Sequence, residues 1–299
     1  MSRKEGVTGQ ASTYLVWVTI RTMLTNAMWR RLLPLLPPQK PRTGRPSLDH
    51  RCFLEAVLWL ARTGAPWRDL PEDVMNWRTA WRRLQRWTAA GIWGRVVAEL
   101  RAMAPNAGWD VHLLDSSVIR AHAHAAGTRH ASGEQALGRS RGGFSTKLHL
   151  RADAKGRPVV LYLTGGERHD LLGVGPLFEQ GALRNGKRGR PRWKPDAVIA
   201  DKAYSAAWLL NVLRSKRIVP IIPSRADQPE NPDFDRTKYR RRNLVERLVG
   251  KLKQFRRVAT RYDKLDAHYL AFAQIASVMV WLRSFGDRTL DGHLAGRRR

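Results

Sequence analysis

Apolar side chains recur at helical spacing over residues 25–103, fall into strand-like runs over 111–166, and return to helical spacing in the last third of the chain. Thr25 precedes NAMWRRLLPLL, where Trp29, Leu32, Leu33 and Leu36 keep the helical period until the prolines at 37 and 38 stop it. Phe53, Val57, Leu60 and Ala61 share one side of a predicted helix over 48–63 that ends at Gly64. Asn76 can cap a third helix, WRTAWRRLQRWTAAG, and Trp93, Val96, Val97 and Leu100 begin a fourth. Helical spacing alone accounts for Trp77, Trp81 and Trp87 as core packing, without a ligand.

Beyond Gly108 the period becomes that of strands. VHLLDSSVIRA, STKLHLRAD and PVVLYLTGG are successive strand candidates separated by glycine-rich or Asp-Ala-Lys-Gly turns, which predicts a three-stranded meander. Asp170 can cap a helix through LLGVGPLFEQ. A short strand ending at Asp201 follows, then a helix near 205–216, the strand-like IVPIIPS, and helices near 238–257 and 267–284. The pattern divides the chain into a disordered extension (1–23), an all-α unit (24–105), an α/β unit (106–286) and a basic tail (287–299).

Composition narrows the function. Hydrophobic residues at 43% and twelve tryptophans suit a packed globule and exclude a solvating chain. Fifty-four Lys and Arg against 25 Asp and Glu give +29, a self-repulsion best explained by a polyanionic partner, of which nucleic acid is the commonest. Cys52 stands alone, so no intrachain disulfide forms, and a cytoplasmic location is expected. The longest apolar stretch, residues 270–282, contains Gln274 and Ser277 and is shorter than the roughly 20 residues a bilayer span needs, which predicts a buried helix and no membrane partner.

Three acids stand out, two of them in apolar strands. Asp115 lies inside HLLDSSVIRAH, where an ionised carboxylate costs several kcal/mol unless a cation or donors compensate it. Asp201 repeats the oddity at the end of a second apolar strand. Glu246 belongs to a helix with Leu244, Val245, Leu248, Val249, Leu252 and Phe255 on its apolar side, while Tyr239, Arg242, Glu246 and Lys253 fall in a separate stripe. That stripe reads equally as a functional face or as solvent exposure, and Arg242 with Glu246 as an i,i+4 ion pair.

Further basic and histidine features have two readings each. The helices flanking GAPWRDLPEDVM allow a helix-turn-helix whose second helix offers Arg78, Arg82, Arg83 and Arg86 to DNA; an ordinary bundle with solvent-facing arginines fits as well. His122 and His124, with His130 nearby, have the spacing of metal ligands, but no cysteine or third helical histidine completes a zinc set, which leaves phosphate or backbone contact. KRGRPR at 187–192 holds the core of an AT-hook, although a basic exposed loop is the simpler account.

Five segments, LLDSSVIRAH, GRSRGGFSTKLH, LTGGERHD, ADKAY and NLVERLVGKLKQFRRVATRYDK, together resemble the bacterial DDE transposases of the insertion sequence 5 family, within the insertion sequence 4/5 superfamily. Tyr239, Arg242, Glu246 and Lys253 stand at a Y-x2-R-x3-E-x6-K spacing similar to that family's signature. RTGAPWRDLPE and NWRTAWRRLQRW resemble its N-terminal region, so the likeness runs from about Leu24 to Arg283. The resemblance implies a ribonuclease-H-like core, a mixed five-stranded sheet flanked by helices, behind an all-α helix-turn-helix-like domain. Asp115 would lie on the first strand, Asp201 on the fourth and Glu246 on a late helix; spacing alone does not make them neighbours. These acids would be the catalytic residues and the ligands of two divalent cations, Mg²⁺ or Mn²⁺. Arg242 and Lys253 would hold phosphates, and Tyr239 would stack on a base or sugar, or be buried. The implied partners are double-stranded DNA, as terminal inverted repeats and as target, and a second copy in a homodimer on that DNA. The implied location is the bacterial nucleoid. The implied activity is hydrolysis followed by joining of 3′ ends. A metal-dependent nuclease that does not join, and an inactive DNA-binding derivative, are the alternatives.

Overall fold

Side-chain caps set the first helices of this computed structural model. It describes residues 22–40, 48–104, 108–126, 135–140, 142–181 and 194–286. The extension up to residue 21, His130, KRGRPR and the basic tail lie outside the described residues. The Thr25 hydroxyl accepts from the Met28 amide at the start of α1 (Asn26–Leu32), Asp49 accepts from the Cys52 amide to open α2 (His50–Thr63), and Asn76 from the Arg78 amide to open α3 (Trp77–Ala89). Gly64 ends α2 at φ 73°, and Gly91 joins α3 to α4 (Ile92–Ala102) at φ 64°, a left-handed conformation that suits glycine. Residues 64–76, with a 3-10 turn at Trp67–Asp69, separate α2 from α3, so these helices lack the short turn of a tight helix-turn-helix.

The predicted meander forms. β1 (Val111–Ala121) pairs antiparallel with β3 (Gly143–Asp153), which pairs antiparallel with β4 (Pro158–Gly165); the short β2 (Gly138–Ser140) folds back on β3. On the other side of β1, β5 (Ala197–Ile199) runs parallel to it and β6 (Val219–Ile221) parallel to β5. The order β4-β3-β1-β5-β6, with these directions, is that of a ribonuclease-H-like sheet. A two-residue strand β7 (Thr260–Arg261) meets β1 at Arg120 and Ala121. Since β5 reaches only Leu113 and β7 begins only at Arg120, residues 114–119 of β1 have no strand beside them there among the described residues. The sheet has a notch, and Asp115 lies in it.

Alternation along the strands sorts two cores. Leu113, Leu150 and Ile199 face α8 (Asn243–Lys253) and α10 (Asp266–Gly286), while Leu114, Val160 and Val198 face the other way, toward α5 (Val174–Glu179) and α6 (Ala207–Ser215). The helix predicted over 238–257 is broken into α7 (Arg236–Tyr239), a 3-10 turn at Arg240–Arg242, α8 and α9 (Arg256–Ala259). α10 has no polar side because neighbours surround it: α4 and β4 pack on it, and the Trp281 indole donates to the Pro158 carbonyl. No described helix is long and apolar enough to cross a membrane. One core holds both the N-terminal helices and α10, so the change near residue 105 divides secondary-structure types but not hydrophobic cores.

Candidate active site

Strand register brings the two aspartates level. Leu113 and Ile199 are partners in the parallel β1–β5 pair, and Asp115 and Asp201 each follow two residues later on the same side of the notch. Asp115 is 14% exposed at its side chain; burial pushes its carboxyl up to about 6, with the Arg242 charge only partly offsetting the rise. Asp201 caps the 3-10 turn Lys202–Tyr204, one carboxylate oxygen accepting from the Ala203 amide at 2.9 Å and the other left to the notch. Glu246 stands in the first turn of α8, whose Val245, Leu248 and Leu252 are buried toward the sheet.

One guanidinium joins the three acids. Arg242 Nη2 lies 3.5 Å from Asp115 Oδ1 and 3.8 Å from Asp201 Oδ2, and Nη1 donates to Glu246 Oε1. Burial opposes the Arg242 charge, but Asp115, Tyr239, Glu246 and Asp201 outweigh it and raise its pKa. The i,i+4 pair with Glu246 is present, yet Arg242 does more than that pair requires: it sits where the carboxylates need a cation. An all-carboxylate oxygen set suits a hard divalent cation such as Mg²⁺ or Mn²⁺. As they lie, no three Asp, Glu, His or Cys among the described residues are grouped to hold one ion.

The rest of the stripe is less concentrated. Tyr239 is half-buried, its ring edge-on to Phe234 at 5.3 Å. Lys253 ends α8, about 10 Å along the helix from Glu246 at 1.5 Å per residue, so it can reach a neighbouring phosphate but not the three-acid centre itself. Lys253→Ala is therefore expected to weaken binding and joining of a DNA end about tenfold while leaving Mn²⁺ affinity unchanged, whereas Glu246→Gln should weaken Mn²⁺ affinity and stop both DNA steps while leaving binding of the DNA end intact. Mn²⁺ titration with cleavage and joining scored separately checks this; wild-type DNA steps in Lys253→Ala would reduce Lys253 to a solvated helix end.

Other expectations are corrected or refined. Arg78, Arg82 and Arg86 are exposed on α3, but Arg83 is buried: its guanidinium lies 4.9 Å from the Phe53 ring centre and 3.3 Å from His50 Nδ1. Helical rotation puts residue 83 on the core side, so it cannot belong to the same DNA-facing row. His122 and His124 are exposed, and His122 Nδ1 accepts from the His124 amide. Asp170 does not cap its helix. His169 does, Nδ1 accepting from the Leu171 amide, while Asp170 turns to the sheet, accepting from the Ser116 hydroxyl at 2.8 Å and pairing with Lys147 Nζ at 2.7 Å. Ser116, Lys147 and Tyr204, which surround the notch from below, were not singled out in the sequence; a serine beside Asp115 and a lysine inside an apolar strand were the available signals.

Comparison with known proteins gives the family. A family model described as "Transposase DDE domain" matches residues 110–281, and one described as "Putative transposase of IS4/5 family" matches residues 24–97. The chain belongs to the DDE transposases of the IS4/5 family. A Burkholderia cepacia protein, "Insertion element IS402 uncharacterized 16.2 kDa protein", is 39% identical over 111 residues, covering 34% of this transposase and 75% of its own length. Brucella ovis "Putative transposase for insertion sequence element IS6501" is 31% identical over 144 residues, covering 47% of this transposase and all of its own length. Among solved structures, the Mos1 mariner paired end complex with Mn aligns over 93% of this transposase and 98% of its own chain at 13% identity, with a TM-score of 0.23.

Proposed function

We propose that this transposase binds the terminal inverted repeats of an insertion element, hydrolyses the DNA there, and joins the freed 3′ ends to target DNA, with Asp115, Asp201 and Glu246 holding two divalent cations. The observation that supports this best is the convergence of three carboxylates, from two strand ends and a helix, on one cationic group. When bound, Mg²⁺ or Mn²⁺ supplies the charge that activates the attacking oxygen and stabilises the leaving one. The chain's own contribution is placement. Asp115 and Asp201 present oxygens from a rigid sheet, so their separation is set by β1–β5 register, and Glu246 closes the site from α8. Arg242, displaced from the acids, is free for a backbone phosphate, where its planar fork binds two oxygens at once. Lys253 engages the next phosphate, and exposed Arg78, Arg82 and Arg86 track the duplex further out. A homodimer on DNA, with two copies each holding one element end, completes the reading.

The test is a joining assay with a precut element end, a supercoiled target plasmid and Mg²⁺. Joined product that disappears with chelator is the expected result. Cutting without joining would identify a metal-dependent nuclease, and end binding without either step an inactive DNA-binding derivative.

A further inference from the structure

The notch has a second wall, on the face of the sheet away from Glu246. Alternation along β1 turns Ser116 to that face, where its hydroxyl donates to Asp170 at 2.8 Å and Asp170 pairs with Lys147. Burial alone would raise the Asp170 carboxyl, but the bonds from Lys147 and Ser116 more than offset it and hold it below the usual range, so Asp170 stays charged. Into this wall projects Tyr204, the last residue of the turn that Asp201 caps, 1% exposed and packed in the core that holds Leu114, Val198 and Leu209. Its hydroxyl lies near Ser116 and feels the charges of Asp170, Asp115 and Asp201. It meets no group in hydrogen-bond geometry.

A buried hydroxyl without a well-formed hydrogen bond is unfavourable and uncommon, and here it lies beside Ser116 in the field of three carboxylates without forming one. A carboxylate that binds a cation through one oxygen is fixed in orientation when its other oxygen accepts a hydrogen bond, and such outer partners tune the affinity of the site. We propose that Tyr204 is a positioning residue of the catalytic centre, the donor that engages Asp115 or Asp201 once their notch-facing oxygens hold a divalent cation. Asp170 acts with it by anchoring Ser116, which fixes β1 beside Asp115 from the far face. Tyr204 touches neither DNA nor cation. The inference rests on the metal-dependent reading above.

Tyr204→Phe deletes only the hydroxyl. In the metal-free full-length protein, it is expected to unfold at the wild-type temperature or a few degrees higher, because the deleted group had no well-formed bond to lose. Calorimetric titration with MnCl₂ should show about a tenfold weaker Kd, and cleavage should fall at low Mn²⁺ and recover in excess. Asp170→Asn should weaken Mn²⁺ in the same direction. A wild-type Mn²⁺ affinity in Tyr204→Phe overturns the proposal, and so does a lowered metal-free melting temperature, since the hydroxyl would then be bonded at rest. Asp115→Asn, titrated alongside, separates the two levels: if it loses Mn²⁺ while Tyr204→Phe keeps it, only the role of Tyr204 fails, whereas Mn²⁺ binding unchanged in Asp115→Asn removes the metal-dependent reading itself.

Discussion

Asp115→Asn, Asp201→Asn and Glu246→Gln should each lower DNA cleavage at least about a thousandfold, equivalent to roughly 4 kcal/mol of transition-state stabilisation, while leaving the protein folded and able to bind DNA. Each substitution keeps the side chain's shape and removes charge from a group that already lies against the Arg242 guanidinium. Asp115→Asn should also change stability, with a sign fixed by its pKa. The Asp115 carboxyl titrates at about 6 when folded, against an ordinary value of 3.8. Between these values the native state holds the extra proton, so stability falls as pH rises through that window and the ionised form is a net burden above pH 6. In chelator at pH 8, Asp115→Asn is expected to be about 1–3 kcal/mol more stable than wild type, a difference that vanishes below pH 4. Thermal unfolding at the two pH values measures it. An Asp115→Asn protein that cleaves at the wild-type rate would remove that residue from the centre.

Deleting residues 1–104 should abolish the fold of what remains. α4 places Val96, Val97 and Leu100 in the same core as Phe272, Ile275, Ala276 and Met279 of α10, and α2 adds Phe53, Val57 and Leu60. Each large apolar side chain taken from this core forfeits about 1.5–3 kcal/mol of burial, so the lost contacts exceed the roughly 5–15 kcal/mol that holds a typical domain together. The fragment is expected to be insoluble, or soluble without a cooperative unfolding transition or near-ultraviolet dichroism. A well-folded fragment 105–299 would show instead that α10 finds another cover.

Local signals were read from local chemistry and held. Thr25, Asn76 and Gly64 mark helix ends because a cap needs only its own neighbours, and the three-stranded meander followed from alternation and turn residues. The buried character of α10 was likewise visible in the absence of any polar side. Errors arose where one residue had a choice of distant partners. Asp170 has the composition of a cap but finds Ser116 and Lys147 on the sheet, and Arg83 looks like its exposed neighbours until helical rotation puts it against Phe53 and His50.

The sequence by itself determined the charge, which favours a polyanionic partner, the boundaries of most elements, and the oddity of Asp115 and Asp201 in apolar strands, because burial of an unpaired carboxylate is unfavourable in any fold; Glu246 was marked only by the family resemblance. Only the tertiary structure decided that β5 stops at Ile199 and β7 starts at Thr260, opening the notch; that parallel register sets Asp201 level with Asp115; and that Arg242 fills the space between them and Glu246. Pairing register and the ends of neighbouring strands depend on contacts between segments far apart in the chain, and one residue's slip would turn Asp115 to the other face. No local pattern encodes that choice, and the fold alone brings the acids together.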